Sequence, residues 1–261
     1  MNNYYSKFNE DQFLHINNFF CKYNCNNLIK IINLIEKNKL SKITHKLHNN
    51  TVINEKRYQV LIFIQNYVVN DINNKNIIDN YFDNIYKLLY PIIINPIINF
   101  FYYLKIYNVK LLRISITYTT PGSPDQEIHH DSNITDKYIY VTIPLHYTPI
   151  EMGPTVLFSH KYTKKYHKKF LTNDFKKYNN IGFYKDIKND DNLIKSKIQN
   201  EHFLGDIIIW NDKTFHYGSE NKSNSIRKYL FLIFTTNQFI DWTVRLNINN
   251  GINILSLIKN Y

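Results

Sequence analysis

The apolar pattern of this 261-residue chain changes kind near residue 108. Before that point apolar residues recur at helical spacing, as in Leu28, Ile31, Ile32 and Ile35, with Lys30, Glu36 and Lys37 on the other side. A second apolar run covers residues 60–68 and leads into an Asn-rich spacer at 70–76. Residues 79–89 and 96–107 read as further helices, each opened by a capping residue or a proline. After residue 108 the run 109–118 (VKLLRISITY) has the branched side chains of a strand, and 119–125 (TTPGSPD) is turn chemistry. Short strands follow at 128–131, 138–147, 155–158, 206–210, 215–217 and 228–236. Strands parted by turns, after a helical block, predict a mainly β fold: an antiparallel barrel or jelly roll with helices packed on one face. With no repeat and no linker, residues 1–261 read as one domain: 1–107 mainly helical support, 108–237 the β core, 160–201 a basic insertion and 238–261 a tail.

Apolar residues make up 44% of the chain and aromatics 16%, enough buried surface to exclude a disordered polymer. There is no Ala, and Arg occurs only at 57, 113, 227 and 245, while Ile, Asn, Lys and Tyr are abundant. That profile reflects AT-rich coding, so the net charge of +11 carries little information, whereas each Arg carries much. Cys21 and Cys25 are too few for a disulfide scaffold and read as reduced thiols on one helical face. The polar start MNNYYSKFNEDQF lacks a signal peptide. The apolar stretch 86–107 is interrupted by Pro91, Asn95, Pro96 and Asn99 and reads as a buried helix pair, not a membrane span. The expectation is a soluble, intracellular (cytoplasmic) protein with no membrane partner.

The chemistry concentrates at three places. In Gln126-Glu127-Ile128-His129-His130-Asp131, alternation along a strand puts His129 and Asp131 on one face and His130 on the other. One imidazole and one carboxylate can therefore meet one metal ion. The segment from Gly205-Asp206 through Trp210 ends at His216, on a strand that can lie beside the first. Two His and one carboxylate on neighbouring strands make the facial triad of a non-haem Fe(II) oxygenase, which leaves coordination positions open for a cosubstrate and O2. Eleven residues further, Arg227 opens the strand KYLFLIFTT and projects into the barrel. A buried guanidinium needs a carboxylate, and the distal one of 2-oxoglutarate fits.

These residues resemble the phytanoyl-CoA dioxygenase-like family of Fe(II)/2-oxoglutarate oxygenases. The likeness is carried by His129, Asp131, Gly205, Asp206, Trp210, His216, Gly218, Asn221, Ser223 and Arg227, by the run Pro121-Gly122-Ser123-Pro124 ahead of Gln126, and by Met152-Gly153-Pro154-Thr155. It spans about 108–237, and it departs from the family where a Pro-Gly pair is missing before Ser159-His160. The resemblance implies a double-stranded β-helix (jelly roll, cupin-like). It implies Fe(II) on His129, Asp131 and His216, and 2-oxoglutarate as cosubstrate on Arg227, with Gln126 and Thr155 also contacting cosubstrate or metal. Tyr118 has two readings, a cosubstrate contact and a core residue, and the second is the commoner role of such a Tyr. The reaction implied is oxidative decarboxylation of 2-oxoglutarate to succinate and CO2, coupled to hydroxylation or other oxidation of a small-molecule substrate by O2. No further catalytic residue is required. Between His160 and Glu201 lie eleven Lys against four Asp, which suggests a lid (Lys164, Lys165, Lys168, Lys169) drawing in an anionic substrate. The alternatives are an oxygenase acting on nucleic acid or protein side chains, and a non-catalytic basic nucleic-acid binder on the same barrel.

Overall fold

The structure is a computed structural model that describes residues 2–37, 56–65, 67–69, 72–131, 138–171, 190–236 and 244–246. In chain order the first half gives α1 (Asn2–Asp11), β1 (Phe13–Ile16), α2 (Lys22–Lys37), β2 (Arg57–Ile64), β3 (Tyr67–Val69), α3 (Ile72–Leu89), a π-helical turn (Tyr90–Ile94) and α4 (Asn95–Tyr103). The second half gives β4 (Lys110–Thr119), β5 (Tyr138–Pro144), β6 (Thr155–Phe158), α5 (His160–Leu171), α6 (Asp191–Lys195), β7 (Lys197–Ile198), β8 (Ile207–Asn211), β9 (His216–Gly218), β10 (Arg227–Thr235) and β11 (Val244–Leu246).

Six strands form one antiparallel sheet in the order β1-β8-β5-β10-β4-β2. A smaller antiparallel sheet, β7-β6-β9, lies against its inner face. Leu157 of β6 and Ile198 of β7 meet Phe13, Tyr140, Ile208 and Trp210 of the large sheet there. This is the jelly roll expected from the sequence. Two of its strands come from the half that reads as helical: β1, and β2, which holds most of the apolar run 60–68. They form the two edges of the large sheet, so the N-terminal half contributes strands as well as support.

Alternation along each strand separates the two faces of the large sheet. Its outer face carries Leu14, Val60, Ile114, Ile116, Val141, Ile143, Ile209, Leu230 and Leu232, buried against the helices in one continuous core. Helix α2 contributes Leu28, Ile31, Ile32 and Ile35 to that core, at the spacing that marks one buried face. The helix from Ile78 to Tyr103 is long and apolar enough to cross a membrane by length and composition alone. One face of it packs into the core, where Leu89, Ile93, Ile94, Ile97 and Phe101 are fully buried. Pro91 and Pro96 fall at the first positions of the π turn and of α4, where a missing N–H is best tolerated. Cys21 and Cys25 are unbonded thiols, the first exposed and the second buried.

Candidate active site

The inner face of the large sheet is polar where the outer is apolar. On β4 it presents Arg113, Ser115, Thr117 and Thr119, opposite Gln59 and Arg57 on β2 and Tyr229 and Arg227 on β10. Together with His216 and Gly218 of β9 these strands enclose a cavity of about 90 Å³, lined also by Gln126, His129, Asp131, Thr155 and Trp210.

His129, Asp131 and His216 converge there, their ligand atoms all within 4.8 Å of one another. The segment 128–131 is not the strand its sequence suggests. It is a single β-bridge, in which the His129 N–H donates to His216 O at 3.0 Å and the His216 N–H donates back to His129 O at 2.9 Å. A directly opposed pair keeps the His129 and His216 side chains on one face, and the Asp131 carboxylate reaches the same spot although no strand parity places it there. The His130 ring turns the other way, against Phe215 at 5.7 Å. His129 Nδ1 is bonded to Glu127 O at 2.7 Å and His216 Nδ1 to Thr214 O at 3.0 Å. Each imidazole thus donates through Nδ1 and turns Nε2 inward, toward Asp131. His216 Nε2 lies 3.3 Å from Asp131 Oδ2, and His129 Nε2 lies 3.8 Å from Oδ1.

Burial and then the neighbouring His216 lower His129 to about 4, so it is neutral and free to ligate at physiological pH. Burial alone would raise the Asp131 carboxyl, but His216, His129 and the Trp210 N–H together hold it at about 2. His216 moves upward, because the charge and hydrogen bond of Asp131 outweigh its burial. A carboxylate and two imidazoles of this kind suit a divalent transition metal with open positions. Trp210 is a partner the sequence motif contained without explaining: its Nε1–H donates to Asp131 Oδ2 at 3.3 Å, and its ring lies 5.2 Å from His216.

Arg227 is 3% exposed at the start of β10. Its Nη2 donates to Thr119 Oγ1 at 2.9 Å, while its Nη1 is buried without a partner. Among the described residues no carboxylate forms a salt bridge with it, and burial lowers its pKa. A buried, half-satisfied guanidinium costs free energy until an anion arrives, so the donor set fits a carboxylate ligand. The loop before Arg227 explains its aim. Asn221 Nδ2 donates to Thr119 O at 3.0 Å and to Ser225 O at 2.8 Å, and Asn221 Oδ1 accepts from Ser223 N–H at 3.1 Å. That turn returns the chain from β9 so that β10 opens with Arg227 opposite Thr119.

Gln126 and Thr155 both line the cavity. The Gln126 Oε1 accepts the Gly218 N–H at 2.8 Å, and Thr155 faces Gly218 across the small sheet. Gly153 must be glycine: at φ 75° its Cβ would sit 2.2 Å from Glu220 O. Tyr118 is a core residue of the outer face, its hydroxyl donating to Glu36 at 2.8 Å. Asp206 of the Gly-Asp turn stays outside the cavity lining and ties the chain start to β8, accepting from Asn18 N–H at 3.0 Å and Phe203 N–H at 2.8 Å.

The Lys-rich segment behaves differently from its expectation. Lys161 pairs with Glu10 at 3.0 Å and Lys165 with Asp190, and no lysine lines the cavity among the described residues. Residues 172–189 of that segment lie outside the described residues, as do the side chains of Lys168 and Lys169. The positive charge in the cavity comes from Arg57 and Arg227 instead. Sequence reasoning missed Arg57, and also Arg113, whose Nη2 donates to Gln59 from behind the cavity wall. Only the rarity of Arg in this chain pointed to them.

A jelly roll that presents two imidazoles and a carboxylate beside a buried guanidinium has the architecture of the iron- and 2-oxoglutarate-dependent oxygenases, a class of oxidoreductases. The chain belongs to the phytanoyl-CoA dioxygenase family, whose model matches residues 8–229, and that family uses Fe(II) and 2-oxoglutarate. Solved structures of the same fold include the non-haem α-ketoglutarate-dependent carbocyclase SnoK from nogalamycin biosynthesis. It is 13% identical with TM-score 0.60, over 88% of this chain and 82% of that one. HygX from Streptomyces hygroscopicus, solved with nickel and 2-oxoglutarate, is 11% identical with TM-score 0.52, over 90% and 87%. EctD from S. alaskensis, solved with 2-oxoglutarate and 5-hydroxyectoine, is 10% identical with TM-score 0.55, over 88% and 74%. No curated protein matches the sequence closely enough to count as a relative. Nothing in these likenesses supports nucleic acid as a partner.

Proposed function

We propose that this chain is a single-domain small-molecule oxygenase in which His129, Asp131 and His216 hold Fe(II) and Arg227 with Thr119 holds the far carboxylate of 2-oxoglutarate. The observation that carries this reading is the meeting, in one cavity, of a three-ligand cluster and a buried guanidinium with a spare donor. When bound, the iron with 2-oxoglutarate and O2 supplies a two-electron oxidation of a substrate C–H, with succinate and CO2 as co-products.

The chain's own residues prepare the site. The Glu127 and Thr214 carbonyls fix the imidazole tautomers, and Trp210 orients the carboxylate. Gln126, by holding the Gly218 N–H, braces the floor between the ligands and Arg227. Tyr229, Trp210 and Phe231 wall the cavity with rings that limit water. No proton-transferring side chain is needed for this chemistry. Hydroxylation of a small organic molecule is the simplest reaction for this site. An anionic substrate drawn in by lysines gains no support from Lys161 and Lys165, which are paired elsewhere.

The test is substrate-independent: succinate formation from 2-oxoglutarate by the Fe(II)-loaded protein under air. Uncoupled turnover is expected from the wild type and absent from His216→Ala, while His146→Ala, outside the cavity, retains it. Equal succinate from wild type and His216→Ala would reject the ligand assignment.

A further inference from the structure

The residue between α1 and β1 holds a conformation that calls for a reason. Gln12 closes α1, its N–H donating to Phe8 O at 2.8 Å, and its φ is 63°, in the left-handed region. Helices commonly end in this way, but on a glycine, which has no Cβ to strain. Here a side chain occupies the position and both of its ends are engaged. Gln12 Nε2 donates to Asn9 O at 2.7 Å, and Gln12 Oε1 accepts from Asn211 Nδ2. Strain of this kind persists where the surroundings hold the residue for a purpose, so the question is what Gln12 itself holds.

It holds the turn between β8 and β9. The Thr214 N–H donates to Asn211 O at 3.1 Å and closes that turn. Gln12 grips it at three points. Its side chain takes the Asn211 amide, and its C=O accepts both the Asn211 N–H at 3.1 Å and the Thr214 hydroxyl at 2.8 Å. Asn211 and Thr214 are both buried, so these bonds are shielded from water. The next link is the Thr214 carbonyl, which accepts from His216 Nδ1 at 3.0 Å. Phe13, the following residue, pairs with Trp210, whose indole N–H donates to Asp131. His129 is supported differently: its Nδ1 is held by Glu127 O, within its own segment. The chain start therefore stands behind His216 and leaves the support of His129 alone.

We propose that Gln12 is a positioning residue for the metal site: by clasping Asn211 and Thr214 it fixes the carbonyl that aims the His216 imidazole at the ion. This goes beyond the oxygenase reading and rests on it only for the role of His216 as a ligand. Because the clasp reaches one imidazole and not the other, its loss should loosen His216 selectively.

The experiment uses that asymmetry. Protein labelled with ¹⁵N-histidine is studied by NMR, metal-free and loaded with Zn(II), and the exchange of the His216 and His129 ring N–H groups with water is measured. The spectra of His216→Ala and His129→Ala assign the two signals. Zn(II) affinity is measured by competition with a chelator, and melting temperatures are taken on the metal-free protein. Gln12→Gly removes the side-chain grip while relieving the backbone, so the melting temperature should stay near wild type. The His216 ring N–H should exchange about 5- to 10-fold faster, the worth of one buried hydrogen bond, with His129 unchanged. Zn(II) should bind about 3- to 10-fold more weakly, less than for loss of a group bonded directly to a ligand. Gln12→Glu keeps the acceptor toward Asn211 and should restore both values. Thr214→Val removes the hydroxyl grip at similar volume and should repeat the Gln12→Gly pattern. Equal acceleration at His216 and His129, or acceleration that tracks a fall in melting temperature, would reduce Gln12 to a structural brace. Unchanged His216 exchange in both Gln12→Gly and Thr214→Val, with Zn(II) binding still dependent on His216, would overturn the proposal and leave the oxygenase reading intact. Equal Zn(II) affinity in wild type and His216→Ala would remove the ligand assignment and the proposal together.

Discussion

The two faces of the large sheet are built by alternate residues of the same strands, yet they obey opposite rules. The outer face is satisfied by the protein itself: its branched side chains fill the space under α2, α3 and α4, and Phe101 meets Phe234 edge-on at 5.1 Å. The inner face is left incomplete. Among the described residues, Ser115 Oγ, Arg57 Nε, Arg113 Nε and Arg227 Nη1 are buried without partners, and such groups are rare in folded proteins. Among the described residues, buried guanidinium nitrogens without partners lie on the inner side of the sheet, whereas the outer side leaves the Tyr103 hydroxyl unmet.

That contrast can be broken from either side. The largest effect is expected from Asp131→Ala, which removes the only carboxylate in the metal cluster: succinate formation should fall to background while the melting temperature of the metal-free protein holds. Parallel loss of fold would show that the inner face also carries stability. On the outer face, Phe101→Ala should cost about 3–5 kcal/mol in a denaturant titration. Turnover per folded molecule should stay near wild type, and a fall in turnover at constant folded fraction would blur the division. Arg227→Met sharpens the comparison further. It removes a buried charge at similar volume, so it should leave stability unchanged or raise it by about 1–2 kcal/mol while abolishing 2-oxoglutarate binding. A clear destabilisation would mean that Arg227 is held by the protein and not for a ligand.

The smallest effect concerns His202, which is 2% exposed and bonded to the Tyr229 hydroxyl at 2.7 Å behind the cavity. Burial, and then His15 and Arg227, hold it at about 3, well under the ordinary histidine value near 6.5. The unfolded chain therefore binds this proton first. The stability that His202 contributes is complete above about pH 6.5 and drains away as the pH falls toward 3. Melting temperatures between pH 6.5 and 4 should drop more steeply for wild type than for His202→Gln, and matching slopes would remove His202 from the acid response.

Much of this was legible in the sequence, for physical reasons that differ by element. The helix α2 and the strands β4, β5, β8 and β10 announce themselves through the period of their buried residues. The grouping of His129, Asp131 and His216 was legible through their spacing and the order of their segments, and the structure brings the three together although 128–131 is a single bridge and not a strand. β2 escaped because a bulge between Leu61 and Phe63 breaks its alternation, leaving an apolar run with no readable period. β1 is four residues long, too short to show any period. Arg57 and Arg113 lie 72 and 16 positions ahead of His129, in no local motif, and only the pairing of β2 with β4 brings Arg57 to the cavity and Arg113 against its lining residue Gln59. The missing Pro-Gly before Ser159 proves to be a shortcut: β6 passes into α5 with one residue between, and the Ser159 hydroxyl fastens that corner to Asp11.

The lone rung that joins His129 to His216 has a mechanical consequence. Among the described residues, the segment bearing His129 and Asp131, two of the three proposed ligands, is joined to β9 by the two backbone bonds at His129 and a third from the Gln126 N–H to Gly218 O, so an ion gripping all three side chains would act as a further rivet across the same seam. Metal loading should then slow amide exchange at positions 129 and 216 far more than at Ile114 or Ile116 in the middle of β4, which makes the ion a fastener of the very edge that receives it.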